Sequence, residues 1–247
     1  MSFLKIEGIS KKFGDHPALT NITFEANEAE VVGLLGLNGA GKTTTLNILS
    51  TLIQPTSGIA LIGGFELGRE NHQIRKILGY LPDFPPLYLD MTVSEYVAYI
   101  GRLRGLKKSS LNYALEAALE QCNLQQVGNR LCGQLSRGYK QRVGLAQAII
   151  HNPKILILDE PTTGLDPKQI LDLRDLIKVL ARQRLVILSS HILSEVQELC
   201  ARALVIRSGT LLQEVDLKQD TSISLEEAFL ASACYSTSEN TIKNRVA

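Results

Sequence analysis

The stretch that most constrains this chain is Gly36-Leu37-Asn38-Gly39-Ala40-Gly41-Lys42-Thr43-Thr44. It fits the phosphate-binding pattern of a glycine, any four residues, then Gly-Lys-Ser/Thr. The apolar run Val31-Val32-Gly33-Leu34-Leu35 before it reads as a buried strand. Leu46, Leu49 and Ile53 after it recur at helical spacing. Strand, glycine-rich turn and helix form the context in which this pattern binds phosphate. Glycines let the backbone approach a phosphate chain and turn N–H groups toward it. The helix start adds unpaired N–H groups and the positive end of its dipole. Lys42 then reaches the β- and γ-phosphates, and the Thr43 hydroxyl binds Mg²⁺.

Such a loop needs a sheet behind it. With 247 residues, 45% of them hydrophobic, the chain can bury one as a large domain or as a domain with an inserted lobe. Twenty-six basic residues against 25 acidic ones give a formal charge of +1, which offers no electrostatic case for a nucleic-acid partner or an anionic membrane surface. Cys122, Cys132, Cys200 and Cys234 form no C-x-x-C pair and read as reduced, mostly buried thiols of a cytosolic protein. Met1 to Glu7 lacks the basic and apolar regions of a signal peptide. No run approaches the ~18–20 apolar residues of a membrane helix, so the chain reads as soluble by itself.

Alternation predicts strands over Phe3–Ile9 and Ala18–Phe24 around a turn at Asp15-His16-Pro17. With residues 58–63 they suggest a small antiparallel sheet. Phe13, beside that turn, is either a platform for a stacked base or a loop aromatic capping the core. Residues 79–83 begin as a strand and break at Pro82; Phe84 to Tyr88 follow as a proline-rich aromatic stretch. Thr92 and Glu95 make a capping box for a helix carrying Tyr96, Ile100 and Leu103. Leu111, Leu115, Ala118 and Cys122 line another helix. Residues from about 84 to 150 thus form a helical insertion in an α/β chain.

Ile155-Leu156-Ile157-Leu158 and Leu185-Val186-Ile187-Leu188 are apolar without alternation, as in a parallel sheet covered on both faces. Asp166 and Pro167 start the helix between them. Residues 203–206 and 210–212 predict a closing hairpin around Ser208-Gly209. Ser224 and Glu227 cap a last short helix, and from 231 to 247 the tail is polar.

Asp159-Glu160 stands at the C-terminal end of a buried strand, where ligands bind in open α/β sheets. Beside a phosphate loop, Asp159 suits Mg²⁺ and Glu160 suits a general base that polarises the attacking water. Leu135-Ser136-Arg137-Gly138-Tyr139 precedes another helix. Ser136 is there either an ordinary N-cap or the start of a second phosphate-binding helix.

The loop at 36–44, Ser136–Tyr139, Ile155–Glu160, Gly164-Leu165-Asp166 and His191 stand in the order of the ATP-binding cassette (ABC) ATPases, which the chain resembles over residues 1–230. Residues 79–82, 86–88 and 135–139 are most similar in wording to an exporter branch that includes gliding-motility and copper-processing ATPase subunits. The resemblance implies a P-loop NTPase (RecA-like) core with a parallel sheet, the antiparallel subdomain and the inserted helical subdomain. It places Phe13 against adenine and makes Asp83 a third Mg²⁺ contact. Gly36 to Thr44, Ser136, Gly138 and Asp166 hold nucleotide, and Glu160 and His191 serve hydrolysis.

It further implies ATP and Mg²⁺ as ligands and a head-to-tail pairing with a second copy or a paralogue. An integral membrane permease is the expected partner, with the chain cytoplasmic on the inner face of the membrane. A soluble ABC ATPase of ribosomes or DNA, or a nucleotide-gated regulator, is the alternative. The sequence departs from the family twice. Asp83 stands where Gln is usual, and the Leu-Ser-Gly-Gly-Gln signature carries Arg137 and Tyr139.

Overall fold

A computed structural model describes residues 2–218 and 225–230. Two sheets share the chain. β1 (Leu4–Phe13), β2 (His16–Ala26), β4 (Ser57–Ile62) and the short β5 (Phe65–Glu66) form an antiparallel sheet in the order β2-β1-β4-β5. The second sheet holds β3 (Val31–Leu35), β6 (Leu78–Leu81), β7 (Ile155–Leu158), β8 (Leu185–Ser190), β9 (Arg202–Arg207) and β10 (Thr210–Asp216), in the order β10-β9-β3-β8-β7-β6. Its pairings are parallel except the closing β9–β10 hairpin. β2 begins at His16, so the turn comes at Gly14-Asp15, slightly earlier than the proline suggests.

The non-alternating strands follow from a sheet buried on both sides. Leu156, Leu158, Val186 and Leu188 point into one apolar cluster; Ile155, Ile157, Leu185 and Ile187 point into the other. The second cluster also takes Leu4, Ile6, Ile22 and Phe24 of the antiparallel sheet and Leu46 and Leu49 of α1 (Lys42–Leu49). α1 stops at Leu49, and Ile53 packs on this cluster from beyond the helix. After α2 (Asn71–Ile77) and β6 come α3 (Val93–Leu103), α4 (Lys108–Gln121) and α5 (Arg137–Ile149). The capping box of α3 is present in full, with Thr92 and Glu95 bonded reciprocally. Tyr96 is buried but Leu103, at the helix end, is exposed.

These helices are not a detached lobe, because one cluster runs from Tyr96 and Val97 through Val143 and Ala146 to β7. Gly79 of β6 permits this. A side chain there would stand 2.2 Å from the Ala148 carbonyl, so α5 lies directly on the strand. Two more helices, α6 (Pro167–Ala181) and α7 (Leu193–Leu199), pack into the same cluster. Asp166 caps α6 by accepting from the Gln169 N–H at 2.9 Å. Residues 225–230 are helical; the expected cap Ser224, Cys234 and the 231–247 tail lie outside the described residues. Cys122, Cys132 and Cys200 are buried free thiols.

His151, between α5 and β7, sets a pH limit on this core. One ring nitrogen contacts the Leu78 carbonyl at 3.0 Å, and Nδ1 is buried with no partner. Burial, then the neighbouring Arg104 charge, push its pKa down to about 4 from 6.5. The unfolded chain therefore binds the proton more readily, and stability falls as pH drops from 6.5 toward 4. Between pH 7 and pH 5 this loss is expected to be about 2 kcal/mol. Urea unfolding at the two pH values, for the wild type and for His151→Gln, checks it: the difference should shrink by that amount in the variant.

Candidate active site

Lys42, Thr43, Asp83, Asp159, Glu160 and His191 follow the ends of parallel strands. The loop after β3 leads into α1 through Gly41, whose φ of 110° is a conformation that favours glycine. No side chain caps α1, which leaves the first-turn N–H groups facing the loop. The loop is braced from outside: the Gly209 N–H donates to the Ala40 carbonyl at 2.8 Å, and Gly209 in turn accepts from the Thr20 N–H at 2.7 Å. A cleft of about 670 Å³ opens here, lined by Phe13, Asn38 to Thr44, Asp83, Glu160, Thr163 and His191. Phe13 is exposed at its edge, with the Lys11 ammonium 5.1 Å from the ring centroid. Gly36 and Leu37 give their carbonyls to the Lys42 ammonium at 2.8 and 3.3 Å.

The acidic pair after β7 divides its work. Asp159 is buried and accepts from the Ser189 hydroxyl at 2.6 Å and from Thr43 at 3.2 Å on the same oxygen. Burial pushes its carboxyl pKa up, against the pull of those hydroxyls. Glu160 has a left-handed φ of 46°. Its N–H donates to Ser189 Oγ at 2.9 Å. One carboxylate oxygen lies 3.2 Å from the Lys42 ammonium, and the other lies 2.7 Å from His191 Nδ1 and accepts from Thr163 at 3.3 Å. Lys42, Glu160 and His191 thus form one chain of charge and hydrogen bonding along the cleft.

Asp83 sits across the cleft. Its Oδ1 is buried without a hydrogen-bond partner, and burial together with Asp159 raises its pKa. The nearest cation is Arg137, 3.9 Å away. Arg137 also lies 5.2 Å from the Phe84 ring centroid and so close over Gly164 that a side chain there would collide with it. The two departures from the family pattern, Asp83 and Arg137, therefore meet.

The oxygens of Thr43, Asp159 and Asp83, one of them unpartnered, are a hard-donor set that fits Mg²⁺. Among the described residues no group of three or more His, Cys, Asp or Glu forms a closed metal cage.

Ser136, Gly138 and Asp166 do not line this cleft. Ser136 caps α5, accepting from the Tyr139 N–H at 3.5 Å. Gly138 and Asp166 border a separate polar hollow with Gln169 and Asp172. Sequence reasoning missed Ser189, which holds both acids. The only signal was its place at the end of an apolar run beside His191.

A glycine-rich loop between a central parallel strand and a helix, facing two acids at the end of another strand of that sheet, defines a P-loop NTPase. Residues 19–163 match the ABC transporter family, and the chain belongs to it. It is an ATP-binding subunit of that family, whose activity is ATP hydrolysis. The chain is 39% identical over 226 residues to the uncharacterized ABC transporter ATP-binding protein YxlF of Bacillus subtilis, covering 89% of this chain and 75% of that one. It is 37% identical to the bacitracin transport ATP-binding protein BcrA of Bacillus licheniformis, covering 87% and 70%. Among solved structures, the ATP-binding cassette MJ0796, a dimer in a post-hydrolysis state bound to ADP and Pi, superposes with a TM-score of 0.79. Identity there is 27%, covering 87% of this chain and 98% of that one.

Proposed function

We propose that this chain energises a separate membrane permease, working as a head-to-tail pair of cassettes with residues 1–230 as the ABC unit and about 84–150 as its helical insertion. The observation that carries the reading is the separation of Ser136 and Gly138 from the cleft that holds Lys42. Signature residues that cannot reach their own nucleotide can serve a partner's. The dimeric relative with ADP and Pi supports the pairing. Among the described residues no helix is long and apolar enough to cross a membrane. In this reading the permease is a different subunit, and the chain lies on the cytoplasmic face. Phe84, Tyr88 and Leu89, exposed beside Asp83, offer an aromatic surface for it. Export is the direction we favour, on the wording of residues 79–82, 86–88 and 135–139.

In this reading Phe13 stacks on adenine, and the backbone from Gly36 to Thr44 cradles the phosphates. Thr43, Asp159 and Asp83 hold Mg²⁺, which neutralises charge on the phosphates when bound. Phosphate oxygens compete with Glu160 for Lys42. As the ammonium turns to them, the Glu160 carboxylate is released to take a proton from water, with His191 holding its other oxygen. Ser136 and Gly138 of the partner close the γ-phosphate side. Asp166 caps the helix beside that signature.

Asp is shorter than the usual Gln, and Arg137 occupies the signature, so turnover by the isolated subunit is expected to be slow and to rise on association with the permease. The test is a tagged purification from detergent-solubilised membranes with mass spectrometry, followed by ATPase assays of the subunit alone and of the complex. A stoichiometric polytopic protein and a faster complex are expected. Ribosomal or nucleic-acid proteins in the soluble fraction would overturn the transport role. A partner-free rate equal to that of the complex would overturn the coupling.

A further inference from the structure

Behind the Glu160–His191 contact lies a carboxylate that the reaction described above does not use. Glu195, in the first turn of α7, is 3% exposed. Its Oε1 accepts from the Thr162 hydroxyl at 2.5 Å, and its Oε2 accepts from the Ser190 hydroxyl at 2.7 Å. Ser190 Oγ itself accepts from the Ile192 N–H at 2.9 Å. Thr162 follows Glu160 by two residues, and Ser190 directly precedes His191. One buried side chain therefore grips both turns that carry the reacting pair.

A carboxylate in this place is costly. Burial strips its hydration, and two hydroxyls offset only part of that loss. Val196 and Leu199 of the same helix fill the surrounding core with apolar groups, so an apolar residue would suit packing alone. What Glu195 adds is geometry. Glu160 is held in a left-handed conformation, and its 2.7 Å contact with His191 spans two separate loops. Ser189 ties the Glu160 backbone to the end of β8, and the bridge from Thr162 through Glu195 to Ser190 is a second tie between the two turns.

We propose that Glu195 is a positioning residue for hydrolysis: it braces Thr162 against Ser190 and so fixes Glu160 against His191. The proposal rests on the reading of Glu160 and His191 as the hydrolytic pair. Glu195→Gln keeps both links, since an amide accepts from one hydroxyl and donates to the other. Glu195→Leu fills similar volume and removes both.

The first readout is steady-state ATPase with ATP affinity measured separately. Glu195→Leu is expected to lose kcat by roughly 10-fold or more, as sub-ångström to ångström misplacement of reacting groups can cost. Its ATP Kd should stay near the wild-type value, and Glu195→Gln should recover most of the rate. The second readout needs no turnover. In protein labelled at histidine Cε1, the His191 signal, assigned through His191→Ala, should move in Glu195→Leu and return in Glu195→Gln. The signals of His16, His72 and His151 should stay in place.

Wild-type kcat and an unmoved His191 signal in Glu195→Leu would overturn the proposal. So would a joint fall of kcat, ATP affinity and all four histidine signals in both variants, which marks a residue that merely supports the fold. If the wild type itself hydrolyses no ATP, the hydrolytic reading fails, and the His191 signal still decides whether Glu195 sets that geometry.

Discussion

Glu160→Gln is expected to bind ATP and to turn it over at least ~10²-fold more slowly, the scale of a lost general base. The substitution changes one oxygen to a nitrogen and leaves the shape of the turn intact. The Glu160 N–H still meets Ser189, because that bond is made by the backbone. What is lost is the basic carboxylate beside His191 Nδ1. The same change also frees Lys42, whose ammonium lies 3.2 Å from the Glu160 carboxylate. ATP affinity should accordingly hold or rise while the rate collapses. Single-turnover hydrolysis on one hand and equilibrium binding of a fluorescent ATP analogue on the other separate the two effects. A variant with full activity would remove Glu160 from the role of base. One that loses affinity and rate together would point to a binding role instead.

The second large effect is expected at the other end of the same contact. Lys42→Ala should weaken ATP binding by about 10- to 100-fold, since a hydrogen bond to a charged group is worth about 1.5–3 kcal/mol. Lys42 is 5% exposed and held by the carbonyls of Gly36 and Leu37. It is presented to the cleft in a fixed posture and has little freedom to give up on binding. Removing it also leaves the Glu160 carboxylate, with its low exposure, next to incoming phosphate without an intervening cation. Both changes act in one direction. Isothermal titration with ATP measures the sum. An unchanged affinity would count against the loop at residues 36–44 as the phosphate site.

Much of this architecture was legible in the sequence because its signals are local. The glycine spacing of the loop, the Thr92–Glu95 capping box and the Asp166-Pro167 helix start are short patterns that chemistry confines to one kind of turn. The unbroken apolar runs at 155–158 and 185–188 announce strands buried on both faces, and both clusters take their side chains. Strand order was not legible. β3 lies between β8 and β9, and no local pattern names such distant neighbours.

The same limit applies inside the site. Asp159 and Glu160 stand out as an acidic pair at a strand end. Ser189, Thr162 and Glu195 look like an ordinary serine, threonine and surface acid until the loops are brought together. The contact of Arg137 with Asp83 and Phe84 joins two distant segments, and sequence could only mark two of its members as unusual for the family.

The bond from Gly209 to Ala40, described above as a brace for the loop, also bears on when the protein becomes competent during its synthesis. Ala40 leaves the ribosome well before Gly209 and the strands β8 and β9 that flank β3. The residues that name the loop are thus made before the frame that shapes it. Nucleotide binding is therefore expected only after β9 and Gly209 have been made, and a truncated product ending before β9 would carry the motif without its brace.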